Sequence, residues 1–222
     1  SAGMAGARAS YFHKAIGGYH AAKPGRINEL YDYQIAKNNV GALNMLNVKY
    51  IIQQNENGYF AARNPFANGN AWFVEKIIPV NNATEEMKAL DSLNVKTEAV
   101  VDVSKFPQDK MAFETDSLAT ISLIEYKPNY IKYKSISKKD GLAVFSEVYY
   151  PHGWKVTVNG KEASHFRANY VLRALALAAG EHTIEFTFEP EVVKTGSTVS
   201  LISSILLLLT LIGGIYFSIR KK

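Results

Sequence analysis

The chain contains no cysteine in its 222 residues. A disulfide scaffold, a cysteine-ligated zinc or iron–sulfur site and a cysteine nucleophile are therefore excluded. Histidine is sparse: His13, His20, His152, His165 and His182 are the five, and none stands in a metal-binding spacing such as HExxH. No GxSxG, Walker or GxGxxG pattern occurs, so acyl-transfer and nucleotide chemistry have no support. No metal and no cofactor is expected. Lysine and arginine are scattered rather than interleaved with aromatics, so the net charge of +5 outlines no nucleic-acid groove. Charged residues amount to only 20% against 47% apolar, which excludes a disordered chain. Acidic residues are spread along strand edges, and no spacing marks a glycosidase-like carboxylate pair among them.

What is present begins at the C-terminus. The mean hydropathy of −0.09 averages over one very apolar segment, Val199 to Ile219 (VSLISSILLLLTLIGGIYFSI), with no charge in it. About 20 such residues are what a helix needs to cross the hydrocarbon of a bilayer. Arg220, Lys221 and Lys222 follow at once, whereas Glu189, Glu191 and Lys194 precede it. The positive flank is expected in the cytoplasm and the residues before Val199 outside it. An outside domain needs an export signal or a preceding membrane region. The opening SAGMAGARAS has no apolar stretch, so the chain reads as the C-terminal piece of a larger membrane protein.

Along the chain, Pro24 can open a helix on which Ile27, Leu30, Tyr31 and Ile35 recur at helical spacing, followed by a second helix over Val40–Leu46. Val48–Gln53 reads as a strand, Arg63–Asn70 as a loop and Trp72–Val80 as one strand. Asn82 with Glu85 makes a capping box for a helix whose stripe is Met87, Leu90 and Leu93, and Thr97–Val103 is a further strand. The second half is strands with turn signals at short intervals, among them Asp140-Gly141 and Asn159-Gly160. The strand His182–Glu189 alternates, with Ile184, Phe186 and Phe188 inward. Trp154, Val156 and Val158 share a face and read as core. The fold class is thus α+β. A small N-terminal α/β unit (1–105) precedes an antiparallel, jelly-roll-like β-sandwich (106–192) and one C-terminal transmembrane helix (193–222).

Two groups of residues are candidates for ligand binding. Tyr11, His13, Lys14, Tyr19 and His20 surround Gly17-Gly18 in the lead-in, where glycine permits close backbone approach. A polar ligand such as a sugar phosphate, or packing against another domain, would each account for them. Arg167, Asn169 and Arg173 could form a polar patch at one end of the sandwich. No residue carries a catalytic pattern.

The stretches SYFHKAIGGYHAAK, LNMLNVKYII, GNAWFV and PHGWKVTVNGKEASHFRANYVLRALALAAGEHTIEFTFEP, followed by a terminal span, cover nearly the whole chain. As an ordered set they resemble the C-terminal part of YfhO-like bacterial membrane proteins. That resemblance implies a polytopic protein similar to GT-C glycosyltransferases, which take sugars from polyprenyl-phosphate donors outside the cytoplasmic membrane and decorate cell-envelope polymers. It implies that the catalytic acid lies upstream and that this segment is an extracytoplasmic (periplasmic) domain with the last span. Its partners would be the membrane, the upstream transmembrane domain and a lipid-linked sugar or envelope glycan. Two other readings stay open: a membrane-anchored carbohydrate-binding or structural module, and a membrane-anchored hydrolase. The orientation is testable. A topology reporter fused after Lys222 is expected to report the cytoplasm; activity only outside it would reverse the assignment.

Overall fold

The computed structural model describes residues 6–19, 21–114 and 116–220. The lead-in carries a short helix, α1 (Ala7–Phe12), and then folds back. Gly18 has φ of +139°, and a Cβ on it would meet Ser10 Oγ at 2.6 Å, so this turn requires glycine. Pro24 stands before α2 (Gly25–Leu30), which runs on through a π-helical turn, Tyr31–Ile35. Asn39 caps α3 (Val40–Met45) by accepting from the Ala42 amide at 3.2 Å. A hairpin follows, β1 (Tyr50–Asn55) with β2 (Gly58–Arg63).

The apolar run expected as a single strand over 72–80 is two strands in different sheets. β3 (Ala71–Val74) and β4 (Lys76–Val80) part company at Glu75, whose amide donates to Thr97 O. β4 pairs in parallel with β5 (Glu98–Asp102), and α4 (Ala83–Ala89) is the crossover between them. The capping box forms. Asn82 Oδ1 accepts from the Glu85 amide at 2.9 Å, and Glu85 Oε2 accepts from the Asn81 amide at 2.9 Å.

The remaining strands are β6 (Thr120–Lys127), β7 (Tyr130–Ser137), β8 (Gly141–Val148), β9 (Trp154–Val158), β10 (Lys161–Ala163), β11 (Phe166–Ala168), β12 (Leu172–Leu177) and β13 (Gly180–Phe188). They build two antiparallel sheets, ordered β10-β9-β13-β7-β6 and β11-β12-β8-β3. β3 thus crosses the boundary expected at residue 105 and joins the sandwich. Asn159-Gly160 makes the tight hairpin that was expected, with φ of 52° and 76°. Asp140-Gly141 does not. β7 and β8 lie in different sheets, so this turn carries the chain from one layer to the other. The 30-residue helix α5 (Glu191–Arg220) closes the chain with no buried residue.

Strand alternation explains how three layers share one sheet. Ala143, Phe145, Leu175 and Leu177 point into the core between the sheets, against Tyr133, Ile184 and Phe186. Their neighbours Leu142, Val144, Leu172 and Ala174 point the other way, against Leu30, Met45, Leu90 and Val100. The four-stranded sheet is therefore covered on both faces, which is why β8 and β12 read as near-continuous apolar runs.

The α/β layer is also tied on by charge. Glu86 lies on α4 with its side chain fully buried, and its carboxylate accepts from Arg26 Nη1 at 3.1 Å, Arg167 Nη2 at 3.2 Å and the Tyr170 amide at 3.1 Å. Removing it takes the acceptor from the Tyr170 amide and from the buried Arg167, while the partly exposed Arg26 keeps the Tyr170 carbonyl. Glu86→Ala is expected to cost about 3–5 kcal/mol, read as a lowered denaturation midpoint of the chain. A change below about 0.5 kcal/mol would mean that the network carries no stability.

Candidate functional site

The end of the sandwich from which α5 departs gathers most of the unusual chemistry. Phe188, the last residue of β13, pairs with Trp154. The Glu189 amide donates to Gly153 O at 2.7 Å. Gly153 has φ of +94°, and a Cβ there would meet Pro190 Cα at 2.9 Å, so the 150–153 turn sits tightly against the start of α5. The turn between β6 and β7 is at the same end, since the Phe188 amide donates to Asn129 O.

Arg173 lies inside this end. Strand alternation aims it with Leu175 and Leu177 into the core, and only 2% of it is exposed. Its guanidinium stacks 4.0 Å from the Trp154 ring centroid and 5.2 Å from that of Phe186. Nε donates to Val148 O at 3.0 Å. Nη1 has no hydrogen-bond partner among the described residues, and neither do the nearby Tyr133 Oη and His165 Nε2. Burial lowers the Arg173 pKa and raises that of Glu147, while Glu147 and Arg173 each favour the other's charged form. Lys14 also favours the charged form of Glu147, and its Nζ rests 3.4 Å from the Tyr126 ring centroid. Donors, one carboxylate and aromatic rings are thus held together behind the lead-in.

A cleft of about 310 Å³ is lined by Pro24, Arg26, Phe106, Tyr149, Tyr150 and Arg167. Its floor is the Glu86 network. Arg167 stands 5.2 Å over the Phe106 ring and 4.0 Å from Asp102 Oδ2, and its Nε is buried without a partner among the described residues. Arg26 stacks 4.3 Å over Tyr170. Phe106 and Tyr149 meet edge to face at 5.5 Å. Guanidinium donors beside aromatic walls suit a hydroxylated or anionic ligand. A larger cavity of about 420 Å³ lies between β3 and β6, but two of its acids, Glu114 and Asp116, are already committed. Glu114 bonds Lys139 at 2.7 Å, and Asp116 accepts from the Leu118 and Lys138 amides, which lowers both pKa values.

The residues proposed from sequence separate. Tyr11, His13 and Tyr19 are exposed, and of the described lead-in group Lys14 is the one set against the sandwich. His20 lies outside the described residues. Arg167 and Arg173 are register partners on β11 and β12, yet one serves the cleft and the other the interior pocket. Asn169 works for the fold: its Oδ1 accepts from the Val100 amide at 2.9 Å, and its own amide donates to Val100 O. Sequence reasoning missed Arg26, Glu86, Glu147, Tyr133 and His165. Glu86 had a readable signal, because it stands four residues before Leu90 and hence on the helix's apolar face.

His165 offers a pH readout of this end. Burial, helped by Arg173, depresses it from 6.5 to about 4. The unfolded chain therefore takes up its proton first as pH falls, and stability drops through the window from 6.5 to about 4. The melting temperature is expected to fall more steeply between about pH 7 and about pH 5 in the native chain than in His165→Asn. Parallel curves would show that His165 is not held neutral.

Residues 89–200, half of the chain, match the family described as bacterial membrane protein YfhO. Among curated proteins and among solved structures, none matches. The match begins at the last residue of α4, runs from β5 through β13 and ends in the first part of α5, leaving β3 outside it, and α5 has the length and apolarity to cross a membrane: the chain belongs to the YfhO family of bacterial membrane proteins.

Proposed function

We propose that residues before α5 form the extracytoplasmic domain of a polytopic membrane glycosyltransferase of the GT-C type, and that its α5 end positions a lipid-linked sugar donor or an envelope-polymer acceptor. The observation that carries this reading is placement. The Arg26–Arg167 cleft borders the turn at 150–153, which packs against the root of the apolar helix, and buried Arg173 stacks on Trp154 just past that turn. With α5 crossing the bacterial cytoplasmic membrane, this end faces the lipid surface. A polyprenyl-phosphate sugar presents its phosphate and first sugar ring there. Arginine and lysine supply charge-assisted donors for phosphate, and tyrosine supplies both a ring face and a hydroxyl. The reaction itself belongs to residues upstream, and this segment contributes binding and orientation.

The test uses the full-length protein in its native membrane. Tyr150 and Lys14 are both exposed at this end, so Tyr150→Ala and Lys14→Ala should each change stability by no more than about 0.5 kcal/mol. Envelope-polymer glycosylation by the double variant should fall about tenfold, equivalent to about 1.4 kcal/mol of lost interaction. Unchanged glycosylation with an intact fold would overturn the positioning role and favour a structural module.

A further inference from the structure

The hairpin of β1 and β2 stands apart from every other layer. Its strands pair only with each other among the described residues, yet it carries Tyr50, Ile51, Ile52, Tyr59 and Phe60 exposed, with Ile52 at 65% and Tyr59 at 77%. Six register pairs run from Tyr50–Arg63 to Asn55–Gly58. Alternation then puts Ile51 and Phe60 on one face and Tyr50, Ile52 and Tyr59 on the other. Each face thus presents large apolar side chains, beside Gln53 and Asn55 on the first and Gln54 and Arg63 on the second. A two-stranded hairpin alone is marginal in water, and exposed apolar clusters of this kind mark an interaction surface.

We propose that this hairpin lies in the lipid–water interface on the side of the membrane where α5 enters. The proposal rests on α5 spanning the bilayer and is independent of the transferase reading. The root of the hairpin fixes its location. The Asn64 amide donates to Lys49 O, closing the base. Asn64 Nδ2 bonds Asn44 Oδ1 and Val48 O, each at 2.9 Å. A few residues on, the Ser146 amide donates to Asn70 O, and the single Ser146 hydroxyl proton is shared between Gly69 O at 2.7 Å and Met45 O at 2.8 Å. Ser146 is three residues before Tyr149 on β8, about 10 Å along a strand, and so lies at the end from which α5 departs.

The chemistry selects the interface over a protein groove or the hydrocarbon core. A flat partner would cover one face and leave the other apolar face in water, whereas lipid headgroups and upper acyl chains can surround both. The outer edges of a two-stranded ladder keep unpaired N–H and C=O groups, which the hydrocarbon core does not tolerate and which interfacial water and headgroups can satisfy. Tyrosines beside aliphatic residues are the composition favoured at that depth. The tip, Asn55-Glu56-Asn57-Gly58, is polar and suits the headgroup layer, and Lys49 and Arg63 at the root suit anionic lipid.

The absence of cysteine makes the test direct. Single-cysteine variants Ile52→Cys and Tyr59→Cys, and Lys138→Cys at the opposite end of the sandwich, would carry an environment-sensitive fluorophore. The full chain would be reconstituted in vesicles of phosphatidylethanolamine and phosphatidylglycerol. A spin label near the top of the acyl chain should quench both hairpin probes at least twofold more than the Lys138→Cys probe, with the opposite order for aqueous iodide. Iodide quenching equal to that at the Lys138→Cys probe would place the hairpin in water and overturn the proposal. Protection from both quenchers would overturn it as well, by showing that protein covers the hairpin. In that case dependence on chain density in the vesicle would identify a second copy.

Discussion

The buried carboxylate of Glu86 is the constraint around which the N-terminal layer is arranged. One oxygen serves the two guanidinium groups of Arg26 and Arg167, and the other takes the Tyr170 amide. Those partners come from α2, β11 and the β11–β12 turn. Tyr170 is held at φ of +70°, a conformation that bulky residues rarely adopt. That strain persists because Glu86 holds its amide, Arg26 Nη1 donates to its carbonyl at 3.1 Å, and Glu29 accepts from its hydroxyl. A buried network of this kind adds little net stability over apolar packing, but breaking it by removing one partner is costly. Here it ties the lead-in helix to the sandwich, and so shapes the cleft between them.

The doubly covered sheet supplies the second constraint. Because β8 and β12 pack on both faces, a slip in their register would disturb two cores at once rather than one. Their α5 ends are consequently fixed in place, and residues that interrupt the apolar alternation there, Glu147 and Arg173, are held where the packing puts them. The lead-in, the hairpin root and the 150–153 turn then converge on that end through local bonds rather than through a large apolar interface. A rigid sandwich carrying short loops at one end is the usual arrangement by which a scaffold presents polar groups.

Much of the fold was legible in the sequence because its signals are local. The capping box at Asn82, the hairpin at Asn159-Gly160, the alternation of β13 and the apolar run of α5 each depend on a few adjacent residues. The misreadings share a cause. Trp72–Val80 looks like one strand because its two halves are equally apolar; only tertiary pairing sends β3 to the sandwich and β4 to the parallel pair. Asp140-Gly141 has hairpin composition, but β7 and β8 find partners in different sheets. β2 was lost within a segment whose alternation is blurred by exposure on both faces. The site was less legible still. Arg173 was singled out, yet its neighbours Glu147, Tyr133 and His165 come from three other segments, and their meeting is a product of the sandwich rather than of spacing.

The position of Arg173 argues that this end was not shaped by stability alone. It occupies an inward site in series with Leu175 and Leu177, where a leucine would bury apolar surface at no electrostatic cost. An arginine there must give up its hydration, and one of its nitrogens recovers no hydrogen bond within the described residues. Stacking on Trp154 and Phe186 and the bond to Val148 O return part of that cost. Tyr133 Oη and His165 Nε2 repeat the pattern within the same pocket. Unsatisfied polar atoms are individually unfavourable by about 1–3 kcal/mol, a cost that apolar side chains at these positions would not carry. These polar atoms stand together where the lead-in, through Lys14 on the Tyr126 ring, meets the sandwich.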